Sequence, residues 1–92
     1  MSAQAAITVL YFAWLRSKAG TGEERLALPE DVADVAGLID WLRARSPGHA
    51  DAFADLRVVR VAVNQDYVGV GHPVKGGDEN AFFPPVTGGC RR

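Results

Sequence analysis

The sequence has little of what several classes of protein require. Its one cysteine, Cys90, rules out an intramolecular disulfide and fits a reducing compartment. Ten Lys and Arg stand against eleven Asp and Glu, so the formal net charge is −1 and no basic field favours nucleic acid. No apolar run approaches the roughly 20 residues that span a bilayer, and the first residues lack a signal-peptide pattern. We therefore expect a cytoplasmic protein that binds neither nucleic acid nor membrane.

Residues that would hold a metal or a phosphate group are also scarce. His49 and His72 have no second ligand at metal-site spacing, and this predicts two surface histidines. The stretch Gly76–Glu79 lacks the Lys-Ser or Lys-Thr pair of a phosphate-binding loop, so we predict a turn there. The pattern predicts no metal site.

What the sequence does contain is a regular series of short apolar segments. Strand patterns occur at Ala6–Phe12, Glu24–Leu28, Val58–Val63, Tyr67–Val68 and Ala81–Phe83. A polar stretch with two glycines, residues 16–22, is predicted to turn the chain between the first two strands. Asp34 is placed as a helix N-cap, and apolar residues follow at helical spacing from Val35 to Leu42. Pro47-Gly48 is predicted to break this helix, with another short helical turn in residues 49–56.

This order, β-β-α-β-β, predicts an α+β domain of the ubiquitin-like β-grasp type. We expect a mixed sheet with one main helix packed across one face. The first and last strands would lie side by side and parallel at its centre, and their apolar sequences predict that both faces are covered. We assign residues 1–87 to this domain and residues 88–92 to a flexible tail.

The segment after the last strand is the most informative part of the chain. Pro84-Pro85 cannot continue a central strand, because proline has no amide donor and a fixed φ. The pair therefore predicts a stiff, extended stem that leaves the sheet. Gly88-Gly89 follows, without side chains, and such a segment can enter a narrow channel. A diglycine alone is weak support, since termini often contain one.

Four stretches together resemble a known family, the small subunit of molybdopterin synthase. They are VLYFAWLR at Val9–Arg16, LALP at Leu26–Pro29, VAVNQDYV at Val61–Val68 and HPVKGGDENAFFPPVTGG at His72–Gly89. The resemblance covers nearly the whole chain in the right order, and the FFPPVTGG ending is its most specific part.

The resemblance implies a ubiquitin-like sulfur carrier. A ubiquitin-activating-like adenylyltransferase, which uses ATP and Mg, would adenylate the carboxylate of Gly89, next to Gly88. A sulfur donor protein would then convert it to a thiocarboxylate. The tail would enter the large subunit of molybdopterin synthase and give sulfur to cyclic pyranopterin monophosphate, within a heterotetramer. The chain would bind no cofactor, and the catalytic side chains would belong to the large subunit.

The same resemblance implies a partner-binding surface. It consists of an apolar patch on the sheet face away from the helix, with the stem beside it. The residues concerned are Phe12, Tyr67, Phe83, Pro84, Pro85, Val86 and Thr87. Aromatic side chains are more often core residues, and from pattern alone Phe83 could equally be one. Tyr67 lies beside a turn, so the pattern already allows it to be exposed.

Two positions depart from the family pattern. Asn80 stands where the family usually has an apolar strand residue, and we expect weaker local packing there. Cys90-Arg91-Arg92 follows Gly89, so Gly89 has no free carboxylate in the sequence as given. A thiocarboxylate cannot form on an internal peptide bond. We therefore predict that a protease cuts after Gly89 before the carrier works, unless the three residues are a cloning remnant.

Other functions stay open at this point. The chain could carry sulfur for thiamine or for thiolated tRNA, because those carriers share the fold and the tail. It could also be a ubiquitin-like protein modifier, for which a removable extension is natural. A plain interaction module without tail chemistry is the remaining interpretation.

Overall fold

The computed structural model describes residues 6–85, which form one mixed sheet with helices packed on it. The strands are β1 (Ala6–Tyr11), β2 (Glu23–Ala27), β3 (Arg60–Val63), β4 (Asp66–Val68) and β5 (Glu79–Phe83). Their order across the sheet is β2-β1-β5-β3-β4. β1 and β5 pair in parallel, with Tyr11 opposite Phe82, and the other pairs are antiparallel. The predicted β-grasp fold, with the first and last strands parallel at its centre, is confirmed.

Three helices lie between the strands of the described chain: α1 (Trp14–Ala19), α2 (Val35–Arg43) and α3 (Pro47–Ala52). A short 3-10 turn, Leu56–Val58, precedes β3. The predicted N-cap of α2 is confirmed, because an Asp34 carboxylate oxygen accepts a 2.8 Å hydrogen bond from the amide of Gly37. The apolar side of α2 is buried against β1 and β5.

Several predicted boundaries were wrong. Residues 16–22 are not only a turn: α1 occupies much of them, since Leu, Arg, Lys and Ala favour a helix and Gly20 ends it with φ of 86°. Pro47 begins α3 rather than only ending α2, because Ser46 caps α3 and proline fits the first helical turn. β3 begins at Arg60, two residues late, because the 3-10 turn takes up Val58.

The sheet is covered on one face only within residues 6–85. Ile7, Val9 and Tyr11 of β1 are buried with the helices, whereas Thr8 and Leu10 on the opposite side are half-buried. The prediction that both faces of the central strands are covered was therefore wrong for the described chain. We call this uncovered side the open face.

Asn80, on β5, is completely buried on the helix-covered face, between Val9 of β1 and Val63 of β3. Within residues 6–85, neither its side-chain nitrogen nor its side-chain oxygen has a hydrogen-bond partner. A buried polar group without a partner costs about 1–3 kcal/mol in proteins. The polar residue that interrupts the family pattern therefore lies at a costly place in the core.

We expect Asn80→Leu to raise the free energy of unfolding by about 1–3 kcal/mol, because leucine has a similar size and no polar atoms. Urea unfolding followed by circular dichroism measures this change. The matched control is Asn64→Leu, which should destabilise: Asn64 has φ of 52° and its side chain bonds to Asp78 and Glu79. If both variants lowered the free energy of unfolding equally, the conclusion that the Asn80 side chain is unpaired would be wrong.

Candidate functional site

The proline stem starts at the end of the sheet where the parallel strands β1 and β5 both stop, a place that we call the tail exit. β5 stops at Phe83, directly before Pro84, as the missing amide of proline requires. The amide of Phe12 donates a 3.1 Å hydrogen bond to the carbonyl of Phe82, so the end of β1 supports the end of β5. Pro84 and Pro85 are half-buried and belong to no strand. The stem therefore starts from the end of β5, the central strand of the sheet.

The three aromatic residues of the predicted patch lie along this same edge, on the open face. Tyr67 of β4 is 79% exposed, and its ring centroid is 5.4 Å from that of Phe83. Phe12 is 48% exposed, because the chain reverses at Ala13, whose φ is 56°. Phe83 is half-buried. We call Phe12, Tyr67 and Phe83 the aromatic patch; its partner-binding role remains a prediction.

A cation lies next to the aromatic patch. Arg60, at the start of β3, is opposite Phe83 in the sheet and is exposed. With Tyr67, Phe83 and Val61 it lines a shallow depression of about 220 Å³ on the open face. Nothing in the sequence pattern singled out Arg60, because it lies in a run of apolar strand residues.

Behind the tail exit, on the helix-covered side, lies a buried polar cluster. The hydroxyl of Tyr11 donates a 2.9 Å hydrogen bond to Glu24 Oε1, and His49 Nε2 lies 3.1 Å from the same oxygen. The hydroxyl of Ser46 is 2.7 Å from His49 Nδ1. Arg45 approaches the other carboxylate oxygen of Glu24 at 4.0 Å. The cluster joins α3 to β1 and β2.

This serine, histidine and carboxylate do not form a catalytic triad. Ser46 Oγ accepts the amide hydrogen of His49 as the N-cap of α3, and His49 is only 5% exposed. A nucleophile must reach its substrate, and this hydroxyl is committed to the helix. The prediction that His49 is a surface residue was wrong, because two polar neighbours, Ser46 and Glu24, bond to its two ring nitrogens in the interior. Residues 6–85 contain no cluster of three or more His, Cys, Asp or Glu that could hold a metal.

Four of the predicted site residues lie outside the described part of the chain. They are Val86, Thr87, Gly88 and Gly89. Their predicted roles, and the predicted boundary between the domain at 87 and the tail at 88, stay predictions. In the part of the chain that the structure describes, no helix is long and apolar enough to cross a membrane.

The fold and this tail exit define the class of the protein. Solved structures that match it are ubiquitin-like β-grasp proteins. A molybdopterin converting factor subunit 1 from Pyrococcus furiosus is 36% identical, with a TM-score of 0.73, over 89% of this chain and 99% of that chain. The small archaeal modifier SAMP1 from Haloferax volcanii is 28% identical, with a TM-score of 0.70, over 92% and 100% of the two chains.

The sequence comparison then gives the family. The ThiS family model matches residues 9–89, and the chain belongs to this family. The molybdopterin synthase sulfur carrier subunit of Escherichia coli is 43% identical over 83 residues, which are 90% of this chain and 99% of that protein. The human protein of the same description is 33% identical over 86 residues, which are 90% of this chain and 93% of that protein.

One further structural relative was solved with a partner. It is subunit 1 of the molybdopterin-converting factor from Helicobacter pylori, in complex with subunit 2. This relative is 22% identical, with a TM-score of 0.62, over 91% of this chain and 99% of that chain.

Because Tyr67 is exposed, Tyr67→Ala should lower the free energy of unfolding by about 1 kcal/mol or less, the value of one aromatic contact. Phe82→Ala, one residue before Phe83 but fully buried, should cost about 3–5 kcal/mol. Urea unfolding of both variants measures the contrast. A large loss for Tyr67→Ala would mean that this ring belongs to the core.

Because Tyr11 is buried in this cluster, we expect the protein to lose stability at high pH. Burial, with the hydrogen bond to Glu24, raises the pKa of the Tyr11 hydroxyl well above its usual value near 10. Above about pH 10 the unfolded chain therefore loses this proton while the folded chain keeps it, and stability falls as pH rises.

The expected slope from Tyr11 is about 1.4 kcal/mol per pH unit above pH 10. Tyr11→Phe has no proton to lose and should lack this part of the slope. Urea unfolding of both proteins between about pH 9 and 11 measures the difference. Parallel stability curves would show that Tyr11 titrates normally in the folded protein.

Proposed function

We propose that this chain is the sulfur carrier, or small, subunit of a molybdopterin synthase. The observation that carries the proposal is the tail exit: a proline stem leaves the centre of the sheet beside an exposed aromatic patch. The family match that begins in β1 runs to Gly89, the second residue of the diglycine. The 43% identity to the Escherichia coli sulfur carrier subunit supports this pathway over other sulfur carriers.

The chemistry follows from what a main-chain carboxylate can and cannot do. A carboxylate is a poor electrophile, so an adenylyltransferase with ATP and Mg first converts that of Gly89 to an acyl-adenylate. A donor protein then supplies sulfur at the sulfide level, which attacks the acyl carbon and displaces AMP. The product is a thiocarboxylate, whose sulfur is the better nucleophile. In the large subunit this sulfur passes to cyclic pyranopterin monophosphate, and hydrolysis returns the carboxylate. No side chain of this domain needs to act as acid or base.

The domain has two tasks in this scheme. It gives both partner enzymes one surface to recognise, the aromatic patch with Pro84 and Pro85, and it holds the start of the tail in a fixed direction. Aromatic residues in an exposed patch are where binding energy tends to concentrate in protein interfaces. The paired ends of β1 and β5 fix the place from which the tail starts, so less entropy is lost when the tail enters an active site.

The three residues after Gly89 must be removed before this chemistry is possible. In the sequence as given, Gly89 is joined to Cys90 by a peptide bond. We propose that a protease cuts after Gly89 and exposes its carboxylate.

The test is a reconstitution with the chain ending at Gly89, the full chain and a chain ending at Gly88. Each is incubated with the adenylyltransferase, ATP, Mg and a sulfur donor, and intact-mass spectrometry follows the exchange of one oxygen for sulfur. Only the chain ending at Gly89 should be charged, and with the large subunit it should convert cyclic pyranopterin monophosphate to molybdopterin.

Sulfur transfer from the uncut chain would contradict the processing step. A charged chain that yields no molybdopterin would instead point to another sulfur pathway. The likeness to SAMP1 makes protein modification the second candidate function. Lysine-linked adducts ending in Gly89, found by mass spectrometry in cell lysate, would favour that function.

A further inference from the structure

Arg60 is a charged residue at a depression whose other lining residues are Val61, Tyr67 and Phe83. Its cross-strand neighbour is Phe83, and Tyr67 completes the depression that the three side chains share. Ala62 and Ala81, next to them on the open face, are small and buried. A partner that covers Tyr67 and Phe83 therefore also contacts Arg60.

The guanidinium is held in place but is not neutralised. Nη1 of Arg60 donates to the main-chain carbonyls of Arg57, at 3.1 Å, and Val59, at 3.4 Å. No carboxylate of residues 6–85 lies within salt-bridge distance of Arg60, whereas the neighbouring Arg57 is paired with Asp55 at 3.0 Å. The two backbone bonds use one nitrogen, and the remaining donors of the planar group are open to a partner.

An arginine in this position restricts which surfaces can dock. Covering an unpaired charge removes its hydration, and the loss exceeds the gain from apolar contact unless the partner supplies an opposite charge. Guanidinium has the geometry to bind a carboxylate through two parallel hydrogen bonds. An apolar partner surface without such a group would be rejected.

We propose that Arg60 determines partner specificity: the surface that covers the aromatic patch presents a carboxylate, from Asp or Glu, which pairs with the Arg60 guanidinium. This inference rests on the proposed function, because the partner named for the test is the large subunit of molybdopterin synthase from the same organism. The pairing has two consequences. Binding weakens as the salt concentration rises. An arginine at another position of the open face does not replace Arg60, although it gives the protein the same net charge.

The experiment compares Arg60→Met and Arg60→Glu with the matched pair Arg25→Met and Arg25→Glu. Arg25 lies on the open face of β2, opposite Thr8, with two strands between β2 and β3. Calorimetric titration of the recombinant large subunit, in low and high NaCl, gives Kd for each variant. Thermal unfolding checks that every variant folds.

Arg60→Met should weaken binding by about 30-fold or more and flatten its salt dependence, since it leaves a buried carboxylate unpaired. Arg60→Glu should weaken binding further, and an Asp→Lys or Glu→Lys change at one position of the large subunit should restore part of it. Both Arg25 variants should bind within about threefold of the unchanged protein, because exposed charges outside an interface contribute little.

Tyr67→Ala separates the two levels of the hypothesis. If Tyr67→Ala abolishes binding while both Arg60 variants bind normally, the aromatic patch docks the large subunit and the specificity role of Arg60 is wrong. If the unchanged protein does not bind the large subunit at all, the proposed function fails first. Binding of Arg60→Met that is as tight and as salt-dependent as before would overturn the inference.

Discussion

The parallel pairing of β1 with β5 is the constraint on which the rest of this structure depends. Parallel strands end at the same edge of a sheet, so the chain reverses after β1 at the place where the tail leaves after β5. The amide of Phe12 bonds to the carbonyl of Phe82 for that reason, although the two residues are 70 positions apart in the sequence. A tail that started from an edge strand would have backbone support on one side only.

The one-sided cover of the sheet leaves apolar side chains exposed on the open face. The helices bury the face that carries Ile7, Val9 and Phe82, and within the described chain no helix covers the face that carries Leu10, Tyr67 and Phe83. Apolar side chains on an uncovered face are unusual in a monomer, because burying them would be favourable. Docking of a partner, as proposed above, would cover this surface, and the charge of Arg60 would then limit which partners fit.

Two buried polar groups show contrasting solutions to the same problem. In the cluster of Tyr11, Glu24 and His49, each group finds a hydrogen-bond partner, so the cluster fastens α3 beside the tail exit. Asn80 has no such partner in the same core. The cluster adds rigidity to the edge that supports the tail, whereas Asn80 lowers stability, and no contact in the structure explains its presence.

The sequence by itself determined the fold and the N-cap at Asp34, because both depend on local periodicity. It also determined that β5 ends before Pro84, because proline has no amide hydrogen. It did not determine that Trp14–Ala19 form helix α1, that His49 is buried, or that the central strands are covered on one face only. Helix α1 is a local helix that was predicted to be a turn, whereas the burial of His49 and the one-sided cover depend on contacts between distant residues, such as His49 with Glu24. The same holds for Arg60, which in sequence is one polar residue among apolar ones; only the pairing of β3 with β5 places its charge beside Phe83.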